Sequence, residues 1–288
     1  MNALLFLGVM AVMLTFRSSA RLATAYGVSV TGALVVDTLL LLLVAPRLWH
    51  WGPWKIALAA VAFGGLELTF LAGNLSKVLH GGWVPLLIAA AVIFLMTTWR
   101  RGRQLVSDDR TDKEGSLEEF IEDVREHNVP RVAGVAVFPH PNRDSTPLAL
   151  RANVEHNHVL HQRVIIVSVV TLRVPHAPSD KAFTYDDLGY SDDGLDHMTI
   201  RFGFSEAPDI PNALRAACLA GVLDVDLDEL DHASYFISRG AIRAGRSPRM
   251  VGWRKRLFVT LAHNAADPAA RFRLPSTRTV TMGSDVEI

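Results

Sequence analysis

The chain of 288 residues is formally neutral, with 29 basic and 29 acidic side chains, and half of its residues are hydrophobic. Its mean hydropathy of +0.23 is high for a soluble protein. Its single cysteine, Cys218, excludes an internal disulfide and any multi-cysteine zinc site, and fits a reducing cytosol. The average conceals two different chains. Residues 1–100 hold six basic side chains and only two acids, Asp37 and Glu67, which leaves 23 basic and 27 acidic side chains to the rest.

The apolar front divides into four runs, at about 2–16, 27–45, 54–72 and 82–99. A helix of nineteen residues covers roughly 28 Å, close to the ~30 Å hydrocarbon core of a bilayer, so the last three runs are long enough to span. The first is shorter. It lacks a positive amino-terminal region and three more apolar runs follow it, so it reads as part of a membrane region rather than as a signal peptide. A buried soluble hairpin would need a large covering core, which the polar back half does not supply. Trp99 with Arg100, Arg101 and Arg103 marks the end of the fourth run as cytoplasmic. Counting back, Arg47 and Lys55 lie inside, Lys77 lies outside, and Arg17 and Arg21 fall on the outer side against the positive-inside bias.

Residues 101–115 are charged and without apolar periodicity, and are expected as a linker. A domain over 116–288 follows. Ser116 with Glu119 forms a capping box ahead of Phe120, Ile121 and Val124, predicting a helix. "RVAGVAVFPH" predicts a strand, "PLALRANVEHNHVL" a helix and "RVIIVSVVTLRV" a buried strand, together a parallel βαβ unit. Further strands are expected at "HMTIRFGF" and "ASYFIS", and helices at "IPNALRAACLAG" and "RMVGWRKRLFVTLAHNAA". The Asp- and Gly-rich stretch from 179 to 197 is expected as a loop or hairpin. The fold class is thus an α-helical integral membrane segment followed by a soluble α/β domain.

Catalytic signatures are scarce: no Walker A, GxSxG, HExxH or GxGxxG pattern occurs, and no enzyme activity is expected. His156, His158 and His161 are close in sequence. On one helix His158 and His161 would be i and i+3, but no carboxylate or cysteine completes a metal-binding spacing, and a polar helix end is the reading adopted. Arg239, Arg243, Arg246, Arg249, Arg254, Lys255 and Arg256 surround Trp253. They can lie on anionic lipid, or can form the solvated face of a helix whose Leu257, Val259 and Leu261 pack on the sheet; the solvated face is favoured. Nucleic acid is not an expected partner, because the domain is net acidic. The candidate site residues are the intramembrane acids. A carboxylate at a span centre costs roughly 2.5 to 3.5 kcal/mol on insertion scales, so Glu67 and Asp37 call for a polar interior, a partner or an ion pathway. A structural role weighs equally for Glu67, three residues after Gly64-Gly65, and more heavily for Asp37.

Five segments in order, "ATAYGVSVTGALVV", "NLSKVLHGGWVPL" with "FLMTTWRRGR", "VEHNHVLHQRVIIVSVV", "ASYFISRG" and "RLPSTRTVTMGSDVEI", resemble the Kup-type potassium uptake permeases. Ala25, Tyr26, Gly27, Val30, Thr31 and Gly32 match a turn that opens a late span of that family. Gly81, Gly82, Trp83 and Pro85 match the opening of its last span, and Gly283, Val286, Glu287 and Ile288 match its tail. The chain departs at "LPSTR" and at Asp37, where the family has a neutral residue. The resemblance implies proton-coupled potassium uptake across the cell inner membrane, with potassium and protons as the transported species. It implies a core of inverted repeats like that of amino-acid transporters, with cation sites in earlier spans. Four spans cannot enclose such a pathway, so the expected partners are the lipid membrane, potassium, amino-terminal spans or a full-length homologue, and a second copy through the cytosolic domain. No cofactor is implied. The alternative is a membrane-tethered α/β regulatory or ligand-binding domain.

Overall fold

A computed structural model describes all residues except 1, 76–77, 79–81, 190–193, 239, 241, 244, 246–248, 264–267, 283–285 and 288. Lys77, Gly81, Arg239, Arg246, Gly283 and Ile288, singled out above, lie outside the described residues. The chain forms two compact units, Met1–Thr97 and Thr98–Ile288.

The first unit is helical. Helix α1, Asn2–Phe16, is only about 22 Å long and ends at Arg17, whose φ of 48° breaks the helix. Helix α2, Ser19–Leu48, is followed by α3, Pro53–Ala59, a π-helical turn over Ala60–Gly64, and α4, Gly65–Leu75. Helix α5 runs over Trp83–Glu114. Among the described residues three helices, Ser19–Leu48, Pro53–Asn74 and Trp83–Glu114, are long and apolar enough to cross a membrane, whereas the first run forms a shorter apolar helix. Two expectations are corrected. The Tyr26-Gly27 motif is no turn but continuous helix inside α2, because no proline interrupts it and its hydroxyls, such as Ser29 on Ala25 O, bond back along the helix. The stretch 101–115 is no linker, since α5 continues through it to Glu114. Its pairs Lys113–Asp109 and Arg110–Glu114, each 2.9 Å at i,i+4, support that helix, and Gly115 ends it with φ +63°. Periodicity misses it because the buried positions, Thr98, Gly102, Leu105 and Glu114, include a single apolar side chain.

The second unit contains a six-stranded sheet. After α6, Leu117–Glu126, come β1, Arg131–Pro139; α7, Leu148–Asn157; and β2, Leu160–Thr171. Then follow β3, Phe183–Asp186; β4, Leu195–Phe202; α8, Ile210–Leu219; α9, Leu227–Asp231; β5, Ser234–Ser238; and a two-residue β6, Ile242–Arg243. Helices α10, Gly252–His263, and α11, Pro268–Arg271, precede β7, Thr279–Met282, and β8, Val286–Glu287. The strand order is β3-β4-β2-β1-β5-β7, all parallel except β3, which closes a hairpin with β4 in the Asp/Gly-rich stretch. The β1–α7–β2 unit is parallel as expected. The period of two along each strand sends alternate side chains to opposite faces. Val135, Val137, Ile165, Val167, Tyr235 and Ile237 pack against α8 and α9, while Ala136, Phe138, Val164, Ile166 and Phe236 pack against α6 and α7. Burial on both faces explains the unbroken apolar run in β2. Ser116 caps α6 as expected, its hydroxyl accepting from Glu119 N–H at 3.4 Å.

Helix α10 corrects another expectation. Its buried residue Phe258 does not face the large sheet. It forms a separate small core with Leu105 of α5 and Met250, against which Trp99, Val259 and Ile242 of β6 pack. Gly102 permits this approach: a Cβ there would lie 2.2 Å from the Phe258 ring. Lys255, counted above on a solvated face, is buried, with its ammonium donating to Gly245 O at 2.8 Å. Gly102→Ala is therefore expected to destabilise the second unit by about 1–3 kcal/mol through overpacking, with Phe258→Leu partly restoring it. Thermal unfolding of the purified chain and the two variants measures this.

Candidate functional site

Two polar constellations stand out, one in each unit. In the first, α2 and α4 meet along a polar seam. Thr31 and Thr38 lie seven residues apart on α2, and Glu67 and Asn74 lie seven apart on α4, so each pair falls on one face two turns apart. The Thr38 hydroxyl donates to Glu67 Oε1 at 2.6 Å, and Asn74 Nδ2 donates to Thr31 Oγ1 at 2.9 Å. Thr31 Oγ1 in turn donates to Gly27 O at 2.8 Å. Thr31, Thr38 and Glu67 are all buried. The π-turn at Ala60–Gly64 sets which face Glu67 occupies. A wide turn takes up an extra residue, and each residue turns the helix by about 100°. Asp37 is exposed on a different face of α2 from Thr38, so the structure does not bring the two acids together. Sequence reasoning singled out Glu67 but missed its partners. The matching seven-residue spacings were the available signal.

In the second unit, the end of α5 meets the loop after β1. Arg110 Nε donates to Glu114 Oε1 at 2.9 Å, and the Ser145 hydroxyl donates to Glu114 Oε2 at 2.9 Å. His140 Nε2 lies 2.8 Å from Ser145 Oγ. A carboxylate only accepts, so the hydroxyl hydrogen points to Glu114, and Oγ accepts from His140 Nε2–H. The neutral ring then carries its lone pair at Nδ1, a buried atom with no hydrogen-bond partner among the described residues. Burial, the Arg110 charge and then His197 push the His140 pKa down to about 4. The network continues through Ser168, whose hydroxyl donates to His140 O at 2.8 Å and lies 3.0 Å from His197 Nε2. Burial lowers the His197 pKa as well. Serine, histidine and carboxylate are present, but the serine bridges the other two instead of facing an oriented imidazole. In that order the hydroxyl donates its hydrogen bond to the carboxylate and not to an imidazole lone pair, which is not the arrangement of an activated nucleophile.

This network borders the point where the strand order reverses. The chain runs β1, β2, β4 outward and then returns to β5 on the other side of β1, and in open α/β sheets ligands bind outside the carboxyl ends of strands at such a point. A cavity of about 210 Å³ lies there, lined by Arg110, His140, Val167, Ile237, Ser238 and Phe272 among others. A guanidinium beside apolar walls suits a small ligand with an acceptor or anionic group. Among the described residues, no three His, Cys, Asp or Glu side chains converge on a metal position. The histidine cluster dissolves in particular: His158 caps α7 in the left-handed region with φ 55°, and His161 sits in β2 with its ring edge on Phe236, so no helix face is shared.

Apolar helices of spanning length followed by an α/β domain with a mixed sheet define an integral membrane protein with a soluble domain after its spans. Residues 1–104 match the K+ potassium transporter integral membrane domain, and residues 133–288 match the K+ potassium transporter C-terminal domain. The chain belongs to this potassium transporter family, which is not a class of enzymes. It is 42% identical over 290 residues to a protein of Cutibacterium acnes named "Probable potassium transport system protein Kup", a match covering all of this chain and 44% of the relative. Proteins with the same name from Rhodococcus jostii and Thiobacillus denitrificans are 42% and 39% identical, over all of this chain and 44% and 45% of theirs. The chain thus spans under half the length of these relatives. No solved structure matches it.

Two outcomes follow from the geometry. Thr38→Val removes the donor to Glu67 and is expected to cost about 1–2 kcal/mol, most of which Glu67→Met in the same chain recovers because neither side then buries an unpaired polar group; a double-mutant cycle on detergent unfolding reads the coupling. Because the folded pKa of His140 lies below its unfolded value, its contribution to stability is complete above about pH 6.5. It is lost progressively as the pH falls toward about 4, by roughly 3 kcal/mol. Hydrogen-exchange protection of β1 and β2 amides should fall through that window, and His140→Gln should flatten the fall.

Proposed function

We propose that these residues form the closing spans and carboxy-terminal domain of a permease that takes up potassium across a cell inner membrane in symport with protons. The observation that carries this reading is the match of both family domains, in order, along one chain. The relatives' printed names describe potassium transport. In this reading the cation sites lie on broken helices of an inverted-repeat core, in spans beyond these residues. Glu67, engaged by Thr38, braces α2 against α4 beside that pathway. Asp37, exposed on α2, meets a neighbouring span of the whole transporter. Trp99 and the three arginines after it support a cytoplasmic α/β domain. That domain acts as a regulatory module and pairs with a second copy, and the cavity at the strand-order reversal favours a ligand-responsive role.

The test is potassium uptake in cells lacking their own uptake systems. Growth at limiting potassium is expected when the chain is joined to the remaining spans of a relative, and not from the 288 residues alone. Glu67→Gln should lower uptake by the joined protein less than removal of an ion-site carboxylate in the other spans. Rescue by the lone chain would sink the view that the pathway needs those spans.

A further inference from the structure

Helix α10 is fixed to the stretch of α5 that follows the last apolar run. Arg254 Nε donates to Thr98 Oγ1 at 2.8 Å, and the Phe258 ring packs on Trp99, centroids 5.5 Å apart, and over Gly102. From Trp99 to Leu105, which shares the Phe258 core, α5 rises only about 9 Å, comparable with one headgroup layer of a bilayer. The contacts use the face of α10 that carries Arg254, Lys255 and Phe258, and they leave another face outward. There Trp253 is 60% exposed and, just before the helix, Val251 is 65% exposed. Arg249 and Arg256 are exposed beside them, as are Arg100, Arg101 and Arg103 on α5. Neither 98–107 nor 249–263 contains an acidic residue.

The outward tryptophan and valine stand side by side with arginines, next to the stretch of α5 that follows its apolar run. An exposed aromatic ring one residue before Arg254, which reaches Thr98, in a segment that carries arginines and no acid, has the composition of an interfacial anchor: such a ring sits among headgroups and the guanidinium groups pair with phosphates. We propose that this face of α10 docks on anionic lipid headgroups of the leaflet that α5 enters, with Trp253 inserted at the headgroup level. The proposal rests on the reading of α5 as a span whose cytoplasmic end is Trp99. Docking there gives the α/β domain a second membrane attachment beside α5 itself.

The test uses the full chain reconstituted in vesicles, in two single-tryptophan forms whose other five tryptophans are phenylalanine. One form keeps Trp253 and the other keeps Trp83, at the start of α5. Vesicles of phosphatidylcholine alone are compared with vesicles that also contain phosphatidylglycerol. Lipids brominated near the glycerol end of the acyl chain serve as membrane quenchers, and iodide serves as the aqueous one. Trp253 emission is expected to be quenched by brominated lipid severalfold more in the phosphatidylglycerol vesicles, with iodide quenching reduced in step. Trp83 should be quenched by lipid in both compositions. If Trp83 is not, the reading of α5 as a span fails and the inference falls with it. With Trp83 quenched, three results overturn the docking alone: Trp253 reached by iodide and not by lipid, Trp253 shielded from both as under a protein partner, or lipid quenching indifferent to phosphatidylglycerol.

Discussion

Glu114 is a carboxylate 5% exposed at the last residue of α5, and the second unit is organised around keeping that charge satisfied. A buried carboxylate without partners is costly enough to unfold a marginal domain. Here both oxygens are engaged, by Arg110 from one turn back and by Ser145 from the loop after β1. The backbone carbonyl of the same residue accepts from Arg151 Nε and Nη2 of α7. One residue thus fastens the end of a long helix to the loop at the carboxyl end of the central strand and to the helix that follows it. Burial and the Arg110 charge keep His140 neutral, while the carboxylate, by taking the Ser145 hydroxyl hydrogen, sets which ring nitrogen of His140 carries the proton and holds Arg110 at the cavity.

The parts of the fold that rest on period and composition were legible in the sequence. The apolar runs, the capped helix at Ser116, the β1–α7–β2 unit and the strands at β4 and β5 each carry a local pattern that packing reinforces. The failures share a cause as well. Residues 101–114 looked like a linker because their helix is held by charge pairs and buries a glycine, so no apolar stripe announces it. The apolar residues of α10 announce a core, and nothing local says that it is the small core on α5 and not the large sheet. His158 looked helical by spacing, yet it occupies the left-handed position that ends its helix.

The candidate sites divide along the same line. Glu67 was visible as an acid in an apolar run, and its placement needed only the seven-residue echo in the facing helix. The Glu114–Ser145–His140 network joins residues up to 31 positions apart with no spacing rule, since the turns that unite them are tertiary. Its location at the reversal of strand order follows from topology, which a single sequence does not declare.

The two hydrogen bonds of the α2–α4 seam also limit how these helices can move. Each helix contributes two polar groups seven residues apart, about 10.5 Å along the axis. A slip of one turn, about 5.4 Å, leaves all four groups facing apolar neighbours in a medium that offers no water, and a slip of seven residues re-forms one pair at most. No intermediate register is therefore available to the pair as a resting point. Whatever motion the first unit undergoes, α2 and α4 are thereby expected to travel as one body.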